Sequence, residues 1–184
     1  VEVGVGLVPA WGGCKELLGR WLNLSKRPGG PMPPIVKTFE TIGLAKVSRS
    51  AQEAKELLYM ARTDAISMNK SRLLTDAKAR TLSMVKNYQA PEHPVYPLPG
   101  KSGWAALAVG IDSLHKSGKA SAYDGEITQQ LATVLTGGDT DITQSLTEQD
   151  LLDLELKSFI HLVQQPATLA RLEHMLKTGK PLRN

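Results

Sequence analysis

The chain has 184 residues, 41% of them hydrophobic and 22% charged, with a formal net charge of +4 and a single cysteine. This is enough apolar material for a buried core and excludes a disordered tail. One cysteine, Cys14, excludes an internal disulfide framework and a multi-cysteine metal cluster, and it suits a reducing, cytoplasmic setting. The longest apolar stretches, Trp104 to Ile111 and Leu151 to Val163, are too short or too interrupted to span a bilayer. Charge is unevenly spread: residues 1–90 carry 14 Lys and Arg against 7 Asp and Glu, whereas 91–184 carry 8 against 11. A basic half attracts phosphate-bearing partners, although most such imbalances are solvated helix faces.

Strand signals are confined to the first eight residues, and 3.6-residue apolar spacing dominates thereafter, so the fold class expected is mainly α. The chain opens on Val1 in an apolar, Gly-rich run without a basic leader, which reads as the middle of a domain. Leu17, Leu18, Trp21 and Leu22 share one helical face after Gly12 and Gly13. The segment KRPGGPMPP, with two glycines and four prolines, then predicts an exposed loop over 26–34. Ile35, Val36, Phe39, Ile42 and Leu44 predict a second helix, and Ser50 with Glu53 predicts a capped third. Residues 70–87 read as helical through Leu73, Ala77 and Met84.

Pro91, Pro94, Pro97 and Pro99 predict an extended linker over 91–100, separating a domain of residues 1–90 from one of 101–184. In the second, Trp104, Leu107, Ala108 and Ile111 mark a helix closed by Gly118. Tyr123, Ile127, Leu131, Val134 and Leu135 mark its antiparallel partner, ending at Gly137. Thr147 with Asp150 caps a helix through Leu151, Leu154, Phe159 and Val163. Pro166 opens a last helix with Leu169, Leu172 and Met175 inward and Gly179 as its stop.

The glycines at 4, 6, 12 and 13 do not make a dinucleotide fingerprint, because Pro9 stands where G-x-G-x-x-G needs its third glycine. A Walker loop fails too, since Lys15 lacks the four-residue spacer and a following Ser or Thr. What remains is Glu2 at a strand end, a turn at Pro9, and Gly12 and Gly13 opening a helix whose N–H groups could face an anion or a carbonyl. A carboxylate among apolar neighbours such as Val1, Val3 and Val5 suits general acid/base work; the plain alternative is a solvated strand-terminal Glu. The four histidines lack metal-ligand spacing, and no nucleophile-elbow signature occurs.

The run VEVGVGLVPAWGGCKELL resembles the crotonase (enoyl-CoA hydratase/isomerase) segment P-E-x-x-x-G-x-x-P-x-x-G-G, with Glu2, Gly6, Pro9, Gly12 and Gly13 matching. Val1 replaces the proline, and Ala10 and Trp11 stand in a turn that is usually Gly-rich. SRSAQEAKELLYMA and the closing HMLKTGKPLRN extend the likeness to bacterial chains that join an NAD-dependent 3-hydroxyacyl-CoA dehydrogenase to a crotonase module with a helical tail. The resemblance implies that residues 1–90 are the C-terminal part of a crotonase-like module and 101–184 an antiparallel helical domain. It implies that Glu2 is the second of two catalytic glutamates, exchanging a proton with substrate, and that Pro9, Gly12 and Gly13 line the substrate site. The first glutamate, the oxyanion-hole amides and the NAD-binding domain would belong to a parent chain. The chain itself would bind no cofactor and be inactive alone.

The partner implied is an acyl-CoA, met through the parent. Nucleic acid is not expected, because the basic half lacks a helix-turn-helix or aromatic-interleaved pattern. The reading from a different class makes 101–184 a non-catalytic helical interaction or oligomerisation module, and homo-oligomer formation is left open.

Overall fold

The computed structural model of the chain describes residues 2–184. A 3-10 helix at Glu2–Val5 leads into α1 (Gly13–Leu22), α2 (Met32–Gly43) and α3 (Ala51–Glu56). A 3-10 turn at Lys70–Arg72 precedes α4 (Leu73–Val85), then β1 (Val95–Pro97), α5 (Lys101–Lys116), α6 (Ala122–Thr136), β2 (Ser145–Thr147), α7 (Glu148–Val163) and α8 (Pro166–Thr178). The fold is mainly helical, as periodicity predicts. Two compact units divide it: residues up to Val47 together with Pro94–Asn184, and Ser48–His93.

Local chemistry sets most helix ends in the larger unit. Ser121 and Asp124 close a reciprocal capping box at the start of α6, and Thr147 and Asp150 do the same for α7. Gly137 and Gly179 take the left-handed conformation just after α6 and α8, where a side chain would be strained. The core centres on α6, whose Ile127, Leu131, Ala132, Val134 and Leu135 are buried. Leu17 and Leu18 of α1, Ile35 and Ile42 of α2, and Leu151 and Leu162 of α7 are buried around the same centre. The prolines of α2 fall in its first turn, where no N–H is needed, so the exposed loop before it ends sooner than composition suggests.

Three expectations change. The strand expected at the chain's start is a 3-10 helix over Glu2–Val5, stitched by Gly6 N–H to Val3 O at 3.1 Å and Leu7 N–H to Glu2 O at 3.0 Å. No strand pairs with it among the described residues, and the backbone satisfies itself locally. The proline-rich segment is not an exposed linker. Val95–Pro97 pairs antiparallel with Ser145–Thr147, and Tyr96 and Leu98 are buried. The larger compact unit thus gathers residues from both sides of the proline-rich segment, with the expected 1–90 region divided near Val47.

Third, α8 turns Thr168 and Arg171 inward, while Leu169 is exposed and Leu172 and Met175 are half-buried. Polar pairing decides this orientation. Thr168 Oγ1 donates to Gly6 O at 2.7 Å and lies 2.5 Å from Tyr123 Oη. Arg171 reaches Asp124 Oδ1 at 2.8 Å, Asn184 Oδ1 at 2.7 Å and Ser121 Oγ at 3.4 Å, with its guanidinium 5.2 Å from the Tyr123 ring centre.

The smaller unit, Ser48–His93, starts with Ser50 Oγ accepting from Glu53 N–H at 3.1 Å. Glu53 reaches back one residue further than a capping box requires, to Arg49 N–H at 2.6 Å. The expected helix over 70–87 is present as the Lys70–Arg72 turn and α4, but α4 buries none of its residues.

Candidate functional site

The segment from Glu2 to Cys14 carries the residues that the motif singles out, and the fold holds it from two distant points. Gly6 is the first. An added Cβ there would meet Thr168 Oγ1 at 2.7 Å, so α8 sits directly on the glycine backbone. The φ of 89° further restricts the position to glycine.

The second point is the start of α1. Trp11 and Gly12 both have positive φ, 62° and 90°, which turns the chain sharply after Pro9 and aims the first amides of α1 back into the protein. Glu155 of α7, fully buried, receives them: Gly12 N–H donates to Oε2 at 2.6 Å and Lys15 N–H to Oε1 at 2.8 Å. A carboxylate against unpaired helix-start amides is the pairing that the helix dipole favours. Burial pushes the Glu155 carboxyl up, while the amides of Lys15, Gly12 and Cys14 pull it back toward the charged form. Gly13 N–H instead bonds Ala10 O at 3.4 Å.

Lys15 is itself buried, and its Nζ pairs with Glu16 Oε1 at 2.8 Å and with Glu148. Burial alone would lower its ammonium, but Glu148 and Glu16 hold it above the usual lysine range. The Cys14 thiol is fully buried, donates to Pro9 O at 3.4 Å, and is pushed well up by burial first and then by the charges of Glu155 and Glu2. It is a packing thiol, protonated and shielded from reagents.

Glu2 therefore lies near enough to the start of α1 for its charge to reach Cys14, and its own side chain is exposed on the 3-10 helix. Pro9 is half-buried; its ring packs so closely on Gly13 that an added Cβ there would stand 2.8 Å from Pro9 Cβ. Gly13→Ala is accordingly expected to lower the unfolding free energy by about 1–3 kcal/mol, read from the urea midpoint at unchanged slope. Trp11 stands at the tip, 101% exposed.

The fold thus brings Glu2, Pro9, Gly12 and Gly13 into one short segment. It gives the Gly12 and Lys15 amides an internal carboxylate as partner. The exposed residues of this segment are Glu2, Trp11 and Gly13. Sequence reading missed Glu155 and Thr168. The available signal was a carboxylate at 155 within the buried spacing 151, 155, 158, 162 of α7.

The residues do not fit a dinucleotide. Gly4 belongs to the 3-10 helix rather than to a strand-to-helix turn, and Thr168 fills the space beside Gly6 where a pyrophosphate would need to approach. Among the described residues no group of three or more His, Cys, Asp or Glu gathers as a metal site, and no helix is long and apolar enough to cross a membrane.

Compared with known proteins, the chain is 42% identical over its whole length to a probable 3-hydroxyacyl-CoA dehydrogenase of Bacillus subtilis (strain 168), and it spans 23% of that relative. No protein-family model matches the chain, and no solved structure matches it.

Proposed function

We propose that this chain is part of a longer fatty-acid β-oxidation protein, a 3-hydroxyacyl-CoA dehydrogenase that also hydrates enoyl-CoA. The observation that carries the reading is the 42% identity across the whole chain to a relative with the dehydrogenase name. NAD would be held by a domain outside these residues, because the glycines here do not cradle a dinucleotide.

Within this reading the residues up to Val47 help close the hydratase module, and residues 101–184, which share their compact unit, form its helical tail. Glu2 supplies one carboxylate, which exchanges a proton with the carbon skeleton of the bound thioester. The other glutamate, which orients the water, and the amides that polarise the thioester carbonyl come from the rest of the parent. Pro9, Gly12 and Gly13 shape the turn behind Glu2, and an acyl-CoA is the partner. The role of the tail is then bracing: α7 and α8 reach the motif through Glu155 and Thr168.

Glu2→Gln in the full-length protein is expected to slow crotonyl-CoA hydration at least about tenfold while NAD-dependent oxidation of 3-hydroxybutyryl-CoA keeps its rate. Unchanged hydration would remove Glu2 from the mechanism. Absence of both activities in the unmodified protein would remove the β-oxidation reading itself.

A further inference from the structure

The Thr168 hydroxyl on α8 has two partners and one proton. Its Oγ1 donates to Gly6 O at 2.7 Å and lies 2.5 Å from Tyr123 Oη. A carbonyl only accepts, so the Thr168 proton points at Gly6, and the Tyr123 hydroxyl supplies the proton between the two side chains. The three groups form one directed chain, from Tyr123 through Thr168 to the Gly6 carbonyl. Both side chains are buried, and burial pushes the Tyr123 phenol up, which keeps its proton in place.

Both ends of this chain are fixed. Tyr123 stands in the first turn of α6, inside the capping box of Ser121 and Asp124, and the Arg171 guanidinium lies 5.2 Å from its ring centre. At the other end, Glu2 O accepts from Leu7 N–H at 3.0 Å and Val3 O from Gly6 N–H at 3.1 Å. Gly6 therefore lies inside the loop of backbone that the Glu2 carbonyl closes. It has no side chain to pack, so its carbonyl is the handle by which α8 holds that loop. An added Cβ at Gly6 would stand 2.7 Å from Thr168 Oγ1, so the same hydroxyl sets how closely the loop approaches α8.

We propose that Thr168 is a positioning residue for the hydration step, holding the Glu2 carboxylate in its working place through Gly6, and that Tyr123 orients the Thr168 hydroxyl for this task. The proposal rests on the reading of Glu2 as the group that exchanges a proton with the thioester. Thr168 is buried behind Gly6 and acts through it. A shift of about 1 Å in a reacting group slows turnover by up to roughly a hundredfold, so one hydrogen bond behind Glu2 has a kinetic reading.

The test is steady-state hydration of crotonyl-CoA by the full-length protein. Thr168→Val keeps the side-chain shape and removes the hydroxyl; kcat is expected to fall at least about tenfold while KM stays within about threefold. Thr168→Ser restores the hydroxyl and is expected to recover at least about half of the native kcat. Tyr123→Phe leaves the bond to Gly6 but frees the Thr168 hydroxyl to turn, and is expected to slow kcat about threefold or more. Combination with Glu2→Gln separates positioning from loss of folded protein. Acting through Glu2, Thr168→Val slows the Glu2→Gln protein by less than about twofold, whereas a folding defect multiplies the two losses.

Native turnover in Thr168→Val, equal losses in Thr168→Val and Thr168→Ser, or multiplied losses in the double variant overturns the proposal and leaves the role of Glu2 intact. If Thr168→Val does not fold, native turnover in Tyr123→Phe overturns it instead. Unchanged hydration in Glu2→Gln overturns the reading of Glu2, and the proposal falls with it.

Discussion

Glu155→Ala is expected to lower the unfolding free energy by about 3–5 kcal/mol, because it strands two buried N–H donors and opens a void at the same point. Gly12 and Lys15 lose their acceptors, and no water-exposed route replaces them at a site that is fully buried. Glu155→Gln keeps one carbonyl acceptor but turns an NH2 group toward the other amide. It should cost about half as much, near 2 kcal/mol.

The pH dependence separates the charge from the shape. Burial raises the folded carboxyl above its ordinary value of 4.5, so the folded state binds this proton more readily than the unfolded chain does. The native chain should therefore lose stability as pH rises from about 4.5 through the raised folded value, and Glu155→Gln should lack that fall. A native profile as flat as that of the Gln variant over this window would show that the amides compensate the burial fully. Urea midpoints across the pH range supply both readings.

Arg171→Ala is the second large effect, expected at about 2–4 kcal/mol. The guanidinium is 2% exposed and is shared among Asp124, Ser121, Asn184 and the Tyr123 ring, so truncation leaves a cavity and an Asp124 carboxylate without its cation. Burial alone would raise the Asp124 carboxyl, but the Ser121 N–H and Arg171 hold it below the usual range. A depressed folded value stabilises above the ordinary 3.8 and is lost as pH falls through the folded value. The deficit of Arg171→Ala relative to the native chain should thus be largest near neutrality and shrink in acid. A deficit equal at all pH values would assign the loss to packing alone. Arg171→Met, which keeps the stem, measures that packing share.

The links through Glu155 and Thr168 bear on what the motif means. Gly6, Gly12 and Gly13 look in sequence like a ligand loop, yet each has a cause inside the chain: Thr168 against Gly6, a φ of 90° with Lys15 Cε 3.3 Å from an added Cβ at Gly12, and Pro9 against Gly13. The same glycines can still shape a turn behind Glu2. Their presence, however, has a structural cause independent of any ligand.

Determined by the sequence alone were the helical class, the helix ends at Ser50, Thr147, Pro166 and Gly179, and the apolar lines of α5 and α6. These depend on residues within about four positions of one another, so the chain itself holds all the physics they need. Tertiary structure decided where Glu155 and Arg171 point, why the first residues coil rather than extend, and that the proline-rich stretch pairs with β2. Gly12 and Glu155 are 143 residues apart, and Gly6 and Thr168 are 162 apart. No local periodicity distinguishes a carboxylate that will be buried against a helix start from one that will face water, because the difference lies in a partner that only folding brings near.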